Sequence, residues 1–324
     1  MAGMVGRMDK TYDVVVVGGG AAGLNGALML ARSRRSVLVI DSGLPRNAPA
    51  DGVHGLLGHD GVPPAELVAK GREEVRRYGG EVVEAEVTGA DAADHGFTVA
   101  LADGRTVAAR RLLVTTGLVD ELPDVAGLRE RWGKDVVHCP YCHGWEVRDQ
   151  PIGVLASSPM AMHQVLLFRQ LTHDVVLFTN GLDFDADERE QLLALAVGVV
   201  DGEVSEVEVR DDRIVGVRLA DGRTVPRRVV VTTTRMVARA GFLASLGLTT
   251  VPHASGMGEH VVVDATGRTD VPGVWAAGNV TDLSAQVGGA AAAGALAGAQ
   301  INSDLVLEDA RQAVEDYRTS PVVV

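Results

Sequence analysis

The chain has 324 residues, 46% of them apolar and 4% aromatic, with 43 acidic against 30 basic side chains and a net charge of −13. That length predicts two domains with sizeable cores, and the acidic balance, without any lysine–arginine block, argues against a nucleic-acid partner. The longest apolar runs, such as the alanine-rich stretch from Gly288 to Gly298, are too short and too glycine-rich to span a bilayer. The opening MAGMVGRMDK lacks the apolar core of a signal peptide, so the expected compartment is the reducing cytoplasm.

Residues 12–41 read YDVVVVGGGAAGLNGALMLARSRRSVLVID. A β-branched run enters a glycine cluster, a helix-like segment follows, and a second apolar run ends in Asp41. Gly18, Gly20 and Gly23 satisfy GxGxxG: the first allows a tight turn, the second close approach of a pyrophosphate, the third close helix–strand packing. The helix start at Ala21 and Ala22 offers free N–H groups to phosphates, and Asp41 stands where an acid grips a ribose hydroxyl. The spacing predicts a dinucleotide site.

The segment LADGRTVAARRLLVTTG (101–117) recurs as LADGRTVPRRVVVTTT (219–234), each a strand, an Asp-Gly turn and a second strand. The duplication predicts two versions of one nucleotide-binding fold. Residues 151–181 align without gaps to 13–43, which turns Gly18, Gly20 and Gly23 into Ala156, Ser158 and Ala161, and Asp41 into Thr179. Each loop position of the second copy then carries a Cβ where backbone should meet phosphate. Acidic residues (Asp183, Asp185, Asp187, Glu188) follow where a 2′-phosphate would want arginines.

Between the copies, VVHCPYCHGWEV (136–147) holds the only two cysteines, Cys139 and Cys142. C-x-x-C-H is a haem attachment pattern, but nothing flanking it is cytochrome-like. A structural zinc site needs a further ligand pair beyond His138 and His143, and none is present, so no metal is expected. Two inert buried cysteines, or a redox dithiol, complete the options.

Three further stretches carry a resemblance. TDVPGVWAAGNVTDLSAQVGG (269–289) resembles the second flavin-binding motif of two-dinucleotide-fold flavoproteins, with Gly278, Asn279, Gln286 and Val287 at the matching positions. Asn279 departs from the aspartate usual there. LLVTTG (112–117), with Thr116 and Gly117, looks like that family's interdomain crossing motif. With CPYCHGWE standing just before the second copy, nearly the whole chain resembles the low-molecular-weight thioredoxin reductases. The histidine in place of an aspartate after Cys142, together with the degraded second loop, resembles one branch of them, the FAD-dependent dithiol oxidases of disulfide natural products such as holomycin and gliotoxin.

The resemblance implies an α/β protein of two Rossmann-like, three-layer domains: an FAD domain over 1–119 plus 245–324, and a vestigial NADPH-binding-like domain over 120–244 carrying the CxxC. It implies FAD as cofactor, with Ser42, Arg46, Asn47, His54 and Val87 as additional contacts. It implies Cys142 as the thiol nearer the flavin and Cys139 as the thiol exchanging with substrate, with His143 or His138 as acid/base. The partners implied are a small-molecule dithiol and O2, in a homodimer. The same thiols running in reverse, with electrons from NADPH or ferredoxin, would make a reductase.

Overall fold

The β-branched run at the start becomes strand β1 (Arg7–Val17), in a computed structural model that describes residues 7–319. Residues 1–6 of the opening segment lie outside the described residues. The chain continues through helix α1 (Ala21–Arg32), β2 (Val37–Asp41), α2 (Pro64–Arg77), β3 (Glu81–Glu84), β4 (Val87–Ala93), β5 (Gly96–Leu101) and β6 (Thr106–Val114). Strands β3, β2, β1 and β6 pair in parallel in that order, strand Val274–Ala276 joins β6 in parallel, and β5 and β4 extend the sheet antiparallel. Both faces of β1 are covered: Val15 and Val17 belong to one core cluster, Val14 and Val16 to the other. That is why the run is continuously apolar rather than alternating.

The alanine- and glycine-rich stretch near residue 290 is part of a long helix, Val287–Thr319, packed against α1. The seam is backbone against backbone. A Cβ on Gly294 would lie 1.9 Å from the Ala22 carbonyl oxygen, and one on Gly298 would lie 2.6 Å from that of Gly26. The small residues therefore bring the starts of two helices together in one unit. Among the described residues, no helix is long and apolar enough to cross a membrane.

Two compact units result: one holds the chain up to Ala48, Pro64–Val119 and the part from Val237 on, the other Pro49–Pro63 and Asp120–Met236. Relative to the sequence-based boundaries, the chain returns to the first unit earlier than residue 245, and Pro49–Pro63 groups with the inserted segment. In the second unit, strands Gly198–Val200, Val175–Phe178, Ile152–Leu155, Val229–Thr232 and Val136–Val137 pair in parallel in that order, repeating the order of the first sheet. Ala156 N–H donates to Phe178 O (3.0 Å) as Gly18 N–H donates to Ile40 O (2.8 Å). The two Asp-Gly turns match as well: Arg105 and Arg223 each pair at 2.7 Å with the aspartate two residues earlier. The repeat is one fold used twice.

Candidate active site

The glycine loop of the first unit has the shape that its spacing demands. Gly18 takes a φ of +105°, and a Cβ there would meet the Thr115 carbonyl oxygen at 2.4 Å. A Cβ on Gly23 would lie 1.9 Å from Gly18 O, so helix and turn can touch only without a side chain. Gly20 has nothing within 4 Å of its would-be Cβ, an open position at the start of α1. Thr115 locks the turn, its hydroxyl lying within bonding distance of both Val17 O (3.0 Å) and Gly18 O (2.8 Å). Asp41 accepts from Gly19 N–H (3.1 Å) and pairs with Arg72 (2.5 Å). Arg72, on α2, was invisible in the sequence, since no motif marks it.

Ala21 and Ala22 begin α1, Ser42 follows β2 on the surface, and Arg46 and Asn47 lie further along the same connection in the first unit. Val87 opens β4, and Thr116, next to the left-handed Gly117 (φ +67°), donates to Arg239 O at 2.6 Å. Gly278, also left-handed at φ +81°, ends the Val274–Ala276 strand, while Gln286 and Val287 start the long helix. Asn279 donates its amide hydrogens to Asp282 O (3.0 Å) and Ala285 O (2.9 Å). An aspartate could make neither bond, so the departure from the family residue is built into this turn. Two helix starts, an open Gly20 and a left-handed Gly18 fit the pyrophosphate of a dinucleotide.

The equivalent loop of the second unit is closed by its own side chains. Ser157 donates to Thr233 O (3.0 Å) and meets the hydroxyls of Thr232 and Thr233, and Ser158 lies 3.1 Å from the Thr233 hydroxyl. Ala161, fully buried, carries a Cβ at the position where Gly23 tolerates none, and Ala156 does not share the positive φ of Gly18. Of the acidic residues beyond Thr179, Asp185 and Glu188 form a capping box on helix Ala186–Ala194, and Arg189 pairs with Asp201 at 3.0 Å.

The cysteine motif leaves the second sheet where Gly278 and Asn279 leave the first, after the fifth strand of the common order. Pro140 starts a single helical turn, Pro140–His143, and the N–H groups of Cys142 and His143 both donate to Cys139 O (3.2 and 3.1 Å). Gly144 is obligatory: its Cβ would fall 2.1 Å from Pro140 O and 2.5 Å from a Leu171 methyl. His138 places Nδ1 3.2 Å from Thr232 O. A carbonyl only accepts, so Nδ1 carries the proton and a neutral His138 has its lone pair on Nε2. Gln164, 5% exposed, holds the same residue through its carbonyl (3.2 Å). The signal for Gln164 was one polar residue on the buried side of AMHQVLLFR.

His54, expected among the flavin contacts, lies in the second unit. A bridge between Val53 and Val62 folds its loop, and Pro49 packs so closely on Gly133 that a Cβ there would be 2.5 Å away. His54 sits 3.4 Å from both Asp60 and Glu146. Together with Gly55, Pro140, Tyr141 and Trp145, these residues line a cavity of about 410 Å³. Among the described residues no cluster of three or more His, Cys, Asp or Glu could hold a metal ion.

Burial pulls the His143 pKa below its ordinary value; the Glu146 and Asp51 charges oppose this and His54 adds to it. Its buried Nε2 has no hydrogen-bond partner within the protein. A depressed base favours the neutral native state, so its stabilising contribution is complete above about pH 6.5 and lost on acidification through and below that value. Lowering the pH from about 7.5 to about 5.5 is therefore expected to reduce the melting temperature more in the wild type than in His143→Gln. Equal losses by differential scanning fluorimetry would contradict this.

The family model for pyridine nucleotide-disulphide oxidoreductases matches residues 12–299. A thioredoxin reductase, tcpT, of Claviceps purpurea is 34% identical over 93% of this chain and 96% of its own. The crystal structure of HlmI superposes with a TM-score of 0.90 at 46% identity, covering 98% of this chain and 99% of the other. An oxidoreductase from Agrobacterium tumefaciens superposes at 0.86 with 37% identity, over 92% and 99%. The glycine cradle, the duplicated sheet and the CxxC turn agree with these likenesses: the chain belongs to the pyridine nucleotide-disulphide oxidoreductases, as a thioredoxin reductase-like FAD flavoprotein.

Proposed function

We propose that this flavoprotein is a dithiol oxidase, converting a small-molecule dithiol to its intramolecular disulfide through Cys139 and Cys142, with O2 as final acceptor. One observation carries the reading: the loop that would seat a pyridine nucleotide in the second unit is occupied by Ser157, Ser158, Thr232 and Thr233, bonded to one another. No Gly18-like turn is open there, and Arg189 is engaged by Asp201 rather than offered to a 2′-phosphate.

A substrate thiolate attacks Cys139 of the oxidised pair, forming a mixed disulfide and releasing Cys142 as thiolate. The second substrate thiol then attacks its own partner sulfur, closing the product disulfide and expelling the Cys139 thiolate. Two thiol protons leave in this sequence. His138, with its lone pair held on Nε2 by Thr232 O, takes the proton on the Cys139 side. His143, kept neutral by burial, serves Cys142. FAD, held at the cradle of Gly18, Gly20 and Gly23, would supply the two-electron sink needed to re-form the Cys139–Cys142 pair, with O2 as the final acceptor. As the resemblance implies, the working unit is a homodimer, and the product belongs to disulfide natural-product biosynthesis or self-protection.

The second reading, a reductase drawing on NADPH or ferredoxin, is favoured by the names of relatives such as the thioredoxin reductase of Claviceps purpurea. Stopped-flow mixing separates the two. Anaerobic dithiothreitol is expected to bleach the flavin band while NADPH leaves it, and aerobic turnover is expected to yield one peroxide per disulfide. Rapid bleaching by NADPH would establish the reductase instead.

A further inference from the structure

The cavity beside the cysteine turn has a composition that discriminates among thiols. Tyr141, within the CxxC itself, and Trp145 are each 67% exposed, so both rings offer apolar area beside the cysteine turn. Both line the 410 Å³ space, which suits a small molecule. Its ionisable lining is Asp60, Glu146 and His54. Asp60 is held in place by Gly55 N–H at 3.1 Å. His54 lies 3.4 Å from each carboxylate, and one imidazole, even protonated, cannot neutralise two. The nearby Arg148 guanidinium is stacked 4.0 Å from the Trp145 ring centre and donates to Trp145 O, outside the lining.

Resting on the dithiol reading above, we propose that this cavity selects small thiols whose body carries a cationic or N–H-donating group, through Asp60 and Glu146, and turns away carboxylated thiols. The flat faces of Tyr141 and Trp145 would hold the body of such a molecule, and the two carboxylates would accept its N–H groups. The same charge would discourage glutathione, whose two carboxylates outnumber its single ammonium group and leave it net negative. An oxidase that rejects glutathione avoids consuming it.

The test uses thiol–disulfide exchange, which needs neither O2 nor flavin turnover. In Cys142→Ser holoprotein, Cys139 thiolate attacks one sulfur of a symmetrical disulfide probe; a Cys139–probe bond forms and the other half leaves as thiolate. The probes are cystamine (cationic), 2-hydroxyethyl disulfide (neutral) and dithiodiglycolate (anionic), with labelling rates read by intact-mass spectrometry. With Asp60 70% and Glu146 41% exposed, each charge is screened to a few-fold effect on a charged probe, and the cationic and anionic probes respond in opposite directions. The cystamine-to-dithiodiglycolate rate ratio is therefore expected to fall at least about tenfold when Asp60→Asn and Glu146→Gln are added, each rate being normalised to the neutral probe in the same protein. Comparing the ratio between proteins cancels the probes' intrinsic reactivities. Both substitutions are isosteric and at the surface, and a matching circular dichroism melt checks the fold. An unchanged ratio overturns the proposal while leaving the dithiol reading standing. No labelling of Cys139 by any probe overturns the dithiol reading, and the proposal with it.

Discussion

Replacing Cys142 by serine is expected to lower dithiol-dependent oxygen uptake at least about a thousandfold while the purified protein stays yellow. The same is expected of Cys139→Ser. Each thiol makes and breaks a covalent bond in the proposed cycle, and a hydroxyl can do neither, so no residual covalent route remains. The fold has little reason to suffer. The turn is held by backbone bonds from Cys142 and His143 N–H to Cys139 O, and by the close packing of Gly144, none of which involves sulfur. Oxygen uptake and flavin absorbance, measured on the same samples, separate loss of chemistry from loss of cofactor. Turnover within tenfold of wild type in either variant would remove the cysteines from the mechanism and favour a flavin-holding interaction module.

The second large effect concerns the cradle, where two neighbouring glycines should behave differently. Gly23→Ala is expected to weaken FAD binding at least about a hundredfold and to lower the melting temperature of the apoprotein by several degrees. Its Cβ would lie 1.9 Å from Gly18 O and 2.6 Å from the Thr115 hydroxyl, so turn, helix and the strand end must all separate. Gly20→Ala is expected to leave the apoprotein melt within about a degree, yet to weaken FAD binding about tenfold or more. Gly20 adopts φ −81° and ψ −168°, ordinary for alanine, and its Cβ would meet no protein atom within 4 Å. What the methyl would fill is the space a pyrophosphate approaches. Titrating apoprotein with FAD by fluorescence quenching measures both constants. Wild-type affinity in Gly20→Ala would mean that the phosphates lie elsewhere.

The parts legible in the amino-acid sequence were those whose physical cause is local. A turn that needs φ +105° shows itself as Gly18, and a doubly covered strand shows itself as an unbroken valine run. A repeated strand–Asp-Gly–strand string announces a repeated fold, because the same neighbours impose the same backbone. The CxxC spacing showed itself as two cysteines close enough to pair, while the helical turn Pro140–His143 that carries them is a finding of the structure.

Pairings across tens of residues were not legible, since many partners satisfy one side chain equally until loops close around it. Asp41 was expected to await a ribose and is already held by Arg72 from α2. Asn279, a departure in the motif, proved to be a donor of two backbone-directed bonds. His54, linked to the flavin only by likeness of its loop, acquires two carboxylate neighbours, Asp60 and Glu146, that no motif announces. Local chemistry thus set the backbone frame, the dinucleotide turn and the spacing of the two cysteines. Only tertiary folding decided which charges surround them, because a side chain's electrostatic partners depend on which distant segments are brought within a few ångströms.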